Sequence, residues 1–211
     1  MKGGSEMKGA TASEQNLKLR QSSFRHVLAA EHKELTALFI ERSKIHLRRF
    51  PDHGVAWMRY GRALVEVACY RKATQAHQNA IRHCPADKLH APYRQMGFLC
   101  EAMGRYREAE EWFCKAADLK PDVADYLVYA GHVSSKAGAL QRAEGYYRRA
   151  AECREGAFEE VWFNLGGVLL GQERYREARD CYCKALSIDP KYRIAKKRLK
   201  DVELLLKEFP N

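Results

Sequence analysis

The sequence predicts an all-α solenoid of antiparallel helix pairs, and three observations predict it. Four segments of one pattern recur along the chain. Each carries a glycine midway along a first helical stretch, Gly61, Gly97, Gly131 and Gly166, at spacings of 36, 34 and 35 residues. Each also carries an alanine in a second helical stretch (Ala73, Ala109, Ala143, Ala178), followed four residues later by His77, Phe113, Tyr147 or Tyr182. Self-similarity at such a period marks stacked supersecondary units, none of which can bury its apolar surface alone.

The full pattern is clearest in the fourth segment, where Trp162 precedes Leu165-Gly166, Leu169, Ala178, Tyr182, Ala185 and Pro190. The first runs Trp57, Tyr60-Gly61, Leu64, Ala73, His77, Ala80, Pro85. The second runs Tyr93, Met96-Gly97, Cys100, Ala109, Phe113, Ala116, Pro121, and the third Leu127, Ala130-Gly131, Ser134, Ala143, Tyr147, Ala150. Glycine inside a helix costs about 1 kcal/mol relative to alanine. The expectation is that another helix backbone approaches closely there, with the alanines removing bulk from the second helix at the same crossing. Large residues then fill the remaining space. Pro85, Pro121 and Pro190 close the second helices, because proline cannot donate a ladder hydrogen bond. Gly104 and Gly138 fall between the two helices of their segments, where a left-handed residue suits a helix end. Pro92 lies in the first turn of its helix, where it is tolerated. The third segment has Glu155 where the closing proline would stand, and the fourth offers Gly171 two residues before the expected inter-helix glycine.

This order of large residue, Leu-Gly, aromatic, Ala, aromatic, Ala and Pro over about 34 residues resembles the tetratricopeptide repeat (TPR). The resemblance covers residues 54 to about 190. It implies a right-handed superhelical solenoid with four repeats at approximately 54–87, 90–123, 124–157 and 159–192, and a role in binding other proteins rather than in catalysis. Some members of the family hold the C-terminal carboxylates of chaperone tails with a Lys and Asn pattern. The matching positions here are Met58, Arg62 and Gln95, so that pattern is absent.

Flanking segments are expected to complete the stack. Residues 1–22 are polar and rich in Gly, Ser and Lys, and are expected to be a disordered tail. Residues 23–51 carry Val27, Leu28, Leu35, Leu38, Phe39, Leu47 and Phe50 at helical spacing, and read as a helical segment akin to a degenerate repeat. Residues 191–211 carry Ala195, Leu199, Val202, Leu206 and Phe209 on one stripe, as a capping helix requires.

Composition narrows the function classes. With 37 Lys and Arg against 27 Asp and Glu, the net charge is +10, which favours acidic partners. The seven cysteines are odd in number and form no Cys-x-x-Cys pair, which argues for free thiols in a reducing compartment. No apolar run of signal-peptide or membrane-span length is present, so a cytoplasmic protein is expected. Catalytic motifs are also missing, which argues against an enzyme. His77, His83, Cys84 and His90 are metal-ligand residue types, but a spacing of six takes His77 and His83 off a common helix face. No metal or cofactor is expected.

Two binding surfaces follow. First helices of such repeats line a concave groove, and positions beside their packing face should point into it. Arg59, Arg62 and Arg94 would supply guanidinium forks for carboxylates, with Gln95 beside them. Phe98, Tyr129, His132 and Phe163 would form an aromatic run, joined by Asn164, Gly167 and Leu170. The expected ligand is an acidic and apolar peptide segment of another protein. Alternatively, Phe98 and Phe163 pack between neighbouring helices. The second surface is the basic cluster Lys191, Arg193, Lys196, Lys197, Arg198 and Lys200, uninterrupted by an acid until Asp201. It would suit nucleic acid or an anionic surface. Self-assembly through grooves or terminal helices is a further alternative.

Overall fold

The structure, a computed structural model, describes residues 12–33 and 36–209. All regular elements among them are helical, apart from one isolated bridge between Val123 and Glu155. The chain divides into two compact units, Met1–Cys84 and Pro85–Asn211.

The first unit holds α1 (Ala12–Lys33), α2 (Thr36–Arg49), α3 (Gly54–Glu66) and α4 (Tyr70–His83), each packed on the next. The disordered tail expected over residues 1–22 needs correction, because Ala12 to Ser22 belong to α1. The run Glu14-Gln15-Asn16-Leu17-Lys18-Leu19-Arg20-Gln21 has mostly good helix formers. It continues into Val27, which is 3% exposed and anchors the helix. Residues 1–11, and the side chains of Leu28 and Leu35, lie outside the described residues. Of the remaining apolar positions, Phe39, Leu47 and Phe50 are buried, whereas Leu38 faces solvent.

The second unit opens with a 3₁₀ turn (Ala86–Lys88). Three helix pairs follow: α5 (His90–Ala102) with α6 (Tyr106–Leu119), α7 (Ala124–Lys136) with α8 (Leu140–Ala150), and α9 (Phe158–Gly171) with α10 (Tyr175–Ile188). Each second helix packs on the next first helix, α7 also touches α9, and α11 (Arg193–Glu208) covers α10. Ala195 and Val202 seat α11 and are fully buried.

The helix crossings explain the glycines, with one change to the expectation. What approaches each glycine is a side-chain ring rather than a backbone. A Cβ built on Gly61 would fall 2.5 Å from the His77 ring, and one on Gly97 would fall 2.5 Å from Phe113. On Gly131 and Gly166 it would meet Tyr147 at 2.8 Å and Tyr182 at 2.7 Å. Ala73, Ala109, Ala143 and Ala178 are completely buried. Each crossing is therefore a ring pressed onto a bare stretch of helix, which recovers more packing than the glycine loses in helix propensity.

The turns between paired helices repeat one hydrogen-bond scheme. Arg105 N–H reaches Cys100 O, Cys69 reaches Leu64, Ala139 reaches Ser134 and Arg174 reaches Leu169, at 2.8–2.9 Å. This closure needs a left-handed residue. Gly104 and Gly138 supply it with φ of +73° and +75°. In the other two turns Ala68 (φ 56°) and Glu173 (φ 64°) take the same conformation. Gly171, the sequence candidate for the fourth turn, remains inside α9. The proline missing at Glu155 is replaced by backbone pairing: Asp122 O accepts from Glu155 N, and Ala124 N donates to Glu155 O at 2.8 Å.

Candidate functional site

A cleft of about 400 Å³ opens in the second unit between α7, α9 and α11. Its lining follows from the crossing of α9 over α10. Gly166 lets the Tyr182 ring lie flat beneath α9, and Gly167, one residue on, leaves the surface above the Tyr182 hydroxyl open. Phe163, four residues before Gly167 on the same helix, packs on Tyr182 and Tyr192 with centroids 5.8 and 5.2 Å apart. The ring is half-buried, so it serves both core and cleft. Leu140, Val168 and Leu170 extend the apolar floor. Asn164 sits at the wall, with no side-chain hydrogen bond among the described residues. His132 enters from α7 and Arg198 from α11.

Charge is distributed unevenly around this cleft. His132 Nε2 lies 3.5 Å from Glu101, whose carboxylate also accepts from Lys136 Nζ at 2.7 Å. Arg198 is 3.9 Å from Asp201, a loose pairing that leaves most of its fork open. Burial pushes the Tyr182 and Tyr147 hydroxyls up to about 12, so neither ionises near neutral pH.

The structure brings His132, Phe163 and Asn164 together and adds Arg198, which the sequence had placed with the basic cluster. The rest of that cluster, Lys191, Arg193, Lys196, Lys197 and Lys200, is exposed, and Arg193, Lys197 and Arg198 border a shallow depression with Ile194 and Asp201. Arg198 is thus shared by both surfaces. Phe98 and Tyr129 form a three-ring cluster with Phe113, at 5.0–5.3 Å between centroids. They pack between helices and show only part of their surface. Gln95 is buried. Arg94 is half-buried, with no acidic partner among the described residues, and its charge bears on His90, Tyr126 and Tyr129. Arg59 and Arg62 lie on α3 in the first unit.

The metal-ligand residue types are dispersed. His77 is packed over Gly61, His83 is exposed, and His90 Nδ1 is hydrogen-bonded to the Tyr126 hydroxyl at 2.7 Å. Among the described residues no group of three His, Cys, Asp or Glu is placed to hold a metal ion. All seven cysteines are free. No helix among the described residues is long and apolar enough to cross a membrane.

The paired helices, the ring-on-glycine crossing and an open cleft on the first helices define a class: an α-helical repeat scaffold. Models of the tetratricopeptide repeat match residues 159–192 and 93–123. Over 90% of this chain and 100% of the other, the fold superimposes on YrrB, a TPR protein with an unusual peptide-binding site, at 15% identity and a TM-score of 0.66. It also superimposes on the C-terminal part of a TPR repeat-containing protein from Cytophaga hutchinsonii, over 87% of this chain and 69% of that one, at 16% identity and a TM-score of 0.73. Among curated proteins, the human (Homo sapiens) protein O-mannosyl-transferase TMTC3 is 25% identical over 148 residues. That match takes in 63% of this chain but only 16% of the relative, so the chain spans about a sixth of its length. Residues 93–123 and 159–192 are thus tetratricopeptide repeats, and the fold around them is the one seen in TPR proteins.

Proposed function

We propose that this chain is a protein-interaction scaffold that holds an extended segment of a partner in the α7–α9–α11 cleft. The observation that carries the reading is the convergence of Phe163, Asn164 and Arg198 on one apolar floor. Each group has a part to play. Phe163 and Leu170 offer a surface for one apolar side chain. The Asn164 amide both donates and accepts, which matches the peptide backbone. The Arg198 guanidinium is suited to a carboxylate, in line with the net charge of +10. The ligand is therefore an acidic and apolar peptide, and the reading is of a binding site rather than an enzyme. The fold itself is one used for binding proteins; the partner must come from the site.

Exposed basic residues along α11 continue the cleft wall through Arg198, and we read them as an acid-attracting rim of the same site. Binding then weakens moderately with salt, as rim charges do. Seven free thiols support a cytoplasmic setting.

The test compares wild-type protein with Asn164→Ala/Arg198→Glu as bait for binding partners from nuclease-treated lysate, with affinities then measured on the purified partner. Both residues are surface groups with no core role, so the variant should fold. The expected result is a partner affinity lower by more than about tenfold. Equal affinity for both baits would refute the site, and capture seen only from a parallel lysate without nuclease would move the function to nucleic acid.

A further inference from the structure

A second cleft, in the first unit, has a chemistry of its own. It measures about 370 Å³ and lies between α2 and α4 over α3. One wall is the α2 face carrying Lys44, Leu47 and Arg48, at helical spacings of three and four. The other is the α4 face carrying Lys72, Gln75, Ala76 and Asn79. Trp57 and Tyr60 of α3 form the floor.

Among the described residues, three cations line this cleft and no acid does. Lys44 has a partner outside it, Glu41 at 2.6 Å. Arg48 and Lys72 are exposed and have no acidic partner among the described residues. Arg48 also repels Lys44 one helical turn away. Like charges on the two walls add nothing to the fold, whereas an anionic occupant would neutralise both walls at once. The floor is held in place: Trp57 Nε1 donates to Pro51 O at 2.6 Å, which fixes the indole plane. Asn79 uses its carbonyl to accept from Arg82, so its NH₂ group remains to donate.

We infer that this cleft binds an acidic peptide segment of a partner protein, with an apolar side chain against Trp57 and carboxylates on Arg48 and Lys72. Nucleic acid fits less well. A strand needs successive exposed ring faces along a basic track. Here Tyr60 is only 8% exposed, so among the described lining residues Trp57 alone offers a face. The side-chain amides of Gln75 and Asn79 suit a peptide backbone, and the volume matches a few side chains. The site is independent of the cleft in the second unit, and a scaffold with both could engage two acidic segments.

The test uses the full chain carrying Asn164→Ala/Arg198→Glu, so that the other cleft does not contribute. The probe is a fluorescein-labelled nonapeptide, Asp-Glu-Asp-Glu-Leu-Glu-Asp-Glu-Asp, followed by anisotropy and by the Trp57 indole NMR cross-peak. The expected result is saturable binding that moves the Trp57 signal and weakens by more than about tenfold on adding Arg48→Glu/Lys72→Glu. Both positions are exposed, and circular dichroism verifies that the fold survives. No binding, or binding unchanged by the substitutions, would overturn the site. Tighter binding of a twelve-residue oligothymidylate, lost in the same variant, would overturn the peptide as its occupant.

Discussion

The two units use the same helix crossing but fill it differently. In the second unit Phe113, Tyr147 and Tyr182 lie over Gly97, Gly131 and Gly166, each ring carbon to backbone. In the first, the ring over Gly61 is His77, which is fully buried, and neither of its nitrogens finds a hydrogen-bond partner among the described residues. Nearby in that unit a second histidine is buried, His46, which shares a 2.7 Å hydrogen bond with His53 and one of 2.8 Å with Ser23. The comparison separates what the repeat requires from what it prefers. It requires a flat ring of a certain size above a glycine. It does not require that the ring be apolar, and the price of a polar one falls on stability rather than geometry.

Removing a ring should have the largest effect. Phe113→Ala leaves a void over Gly97 and should cost about 3–5 kcal/mol in urea unfolding. His77→Ala should cost distinctly less, because it also removes two unsatisfied buried nitrogens. Equal losses would break the comparison.

Acid comes next. Burial holds His77 down to about 4, and burial with the Arg20 charge holds His53 at about 4 as well. Both fall below the ordinary value of about 6.5, so the native state keeps these rings neutral while the unfolded chain protonates. Their contribution to stability is therefore intact above about pH 6.5 and is lost as the pH falls towards 4. For the fully buried His77 the loss approaches about 3 kcal/mol. Unfolding followed at pH 7 and pH 4.5 should show it, and His77→Phe should remove its share.

His77→Phe also sharpens the comparison at neutral pH. Phenylalanine already fits this crossing at Phe113, so the variant should gain about 1–2 kcal/mol by eliminating unpaired buried nitrogens. A loss would mean that His77 has a partner or a role unlike that of the other three rings. Smallest are the turns: Glu173→Gly and Ala68→Gly should each gain about 0.5 kcal/mol by relieving left-handed strain, net of glycine's entropy. Gly138→Ala should lose a similar amount or more.

Much of this was legible in the sequence because repetition exposes it. The register of the four helix pairs, the burial of the alanines and the seat of α11 on Ala195 and Val202 could all be read from spacing. What escaped depended on three-dimensional neighbours. Nothing local tells a glycine facing a ring from one facing a backbone. Residues 12–22 looked polar enough to be disordered, yet they extend a helix whose anchor, Val27, comes later in the chain. At Glu173, hydrogen bonds of the turn impose a conformation that residue type would not suggest. Three of the nine candidate groove residues pack into the fold: Phe98 and Tyr129 touch Phe113, and Gln95 is buried. Arg198 could be counted as basic from sequence, but only the packing of α11 on α10 brings it beside Phe163 and Asn164.

The measurement that bears most directly on the proposed scaffold is site-specific photo-crosslinking in cells. A benzoyl-phenylalanine placed at Phe163, in the cleft, is compared with one placed at Arg179, exposed on α10. The account predicts a discrete protein adduct from position 163 that maps to an acidic, apolar segment, and none from position 179. The same adduct from both positions, or none from 163, would contradict it.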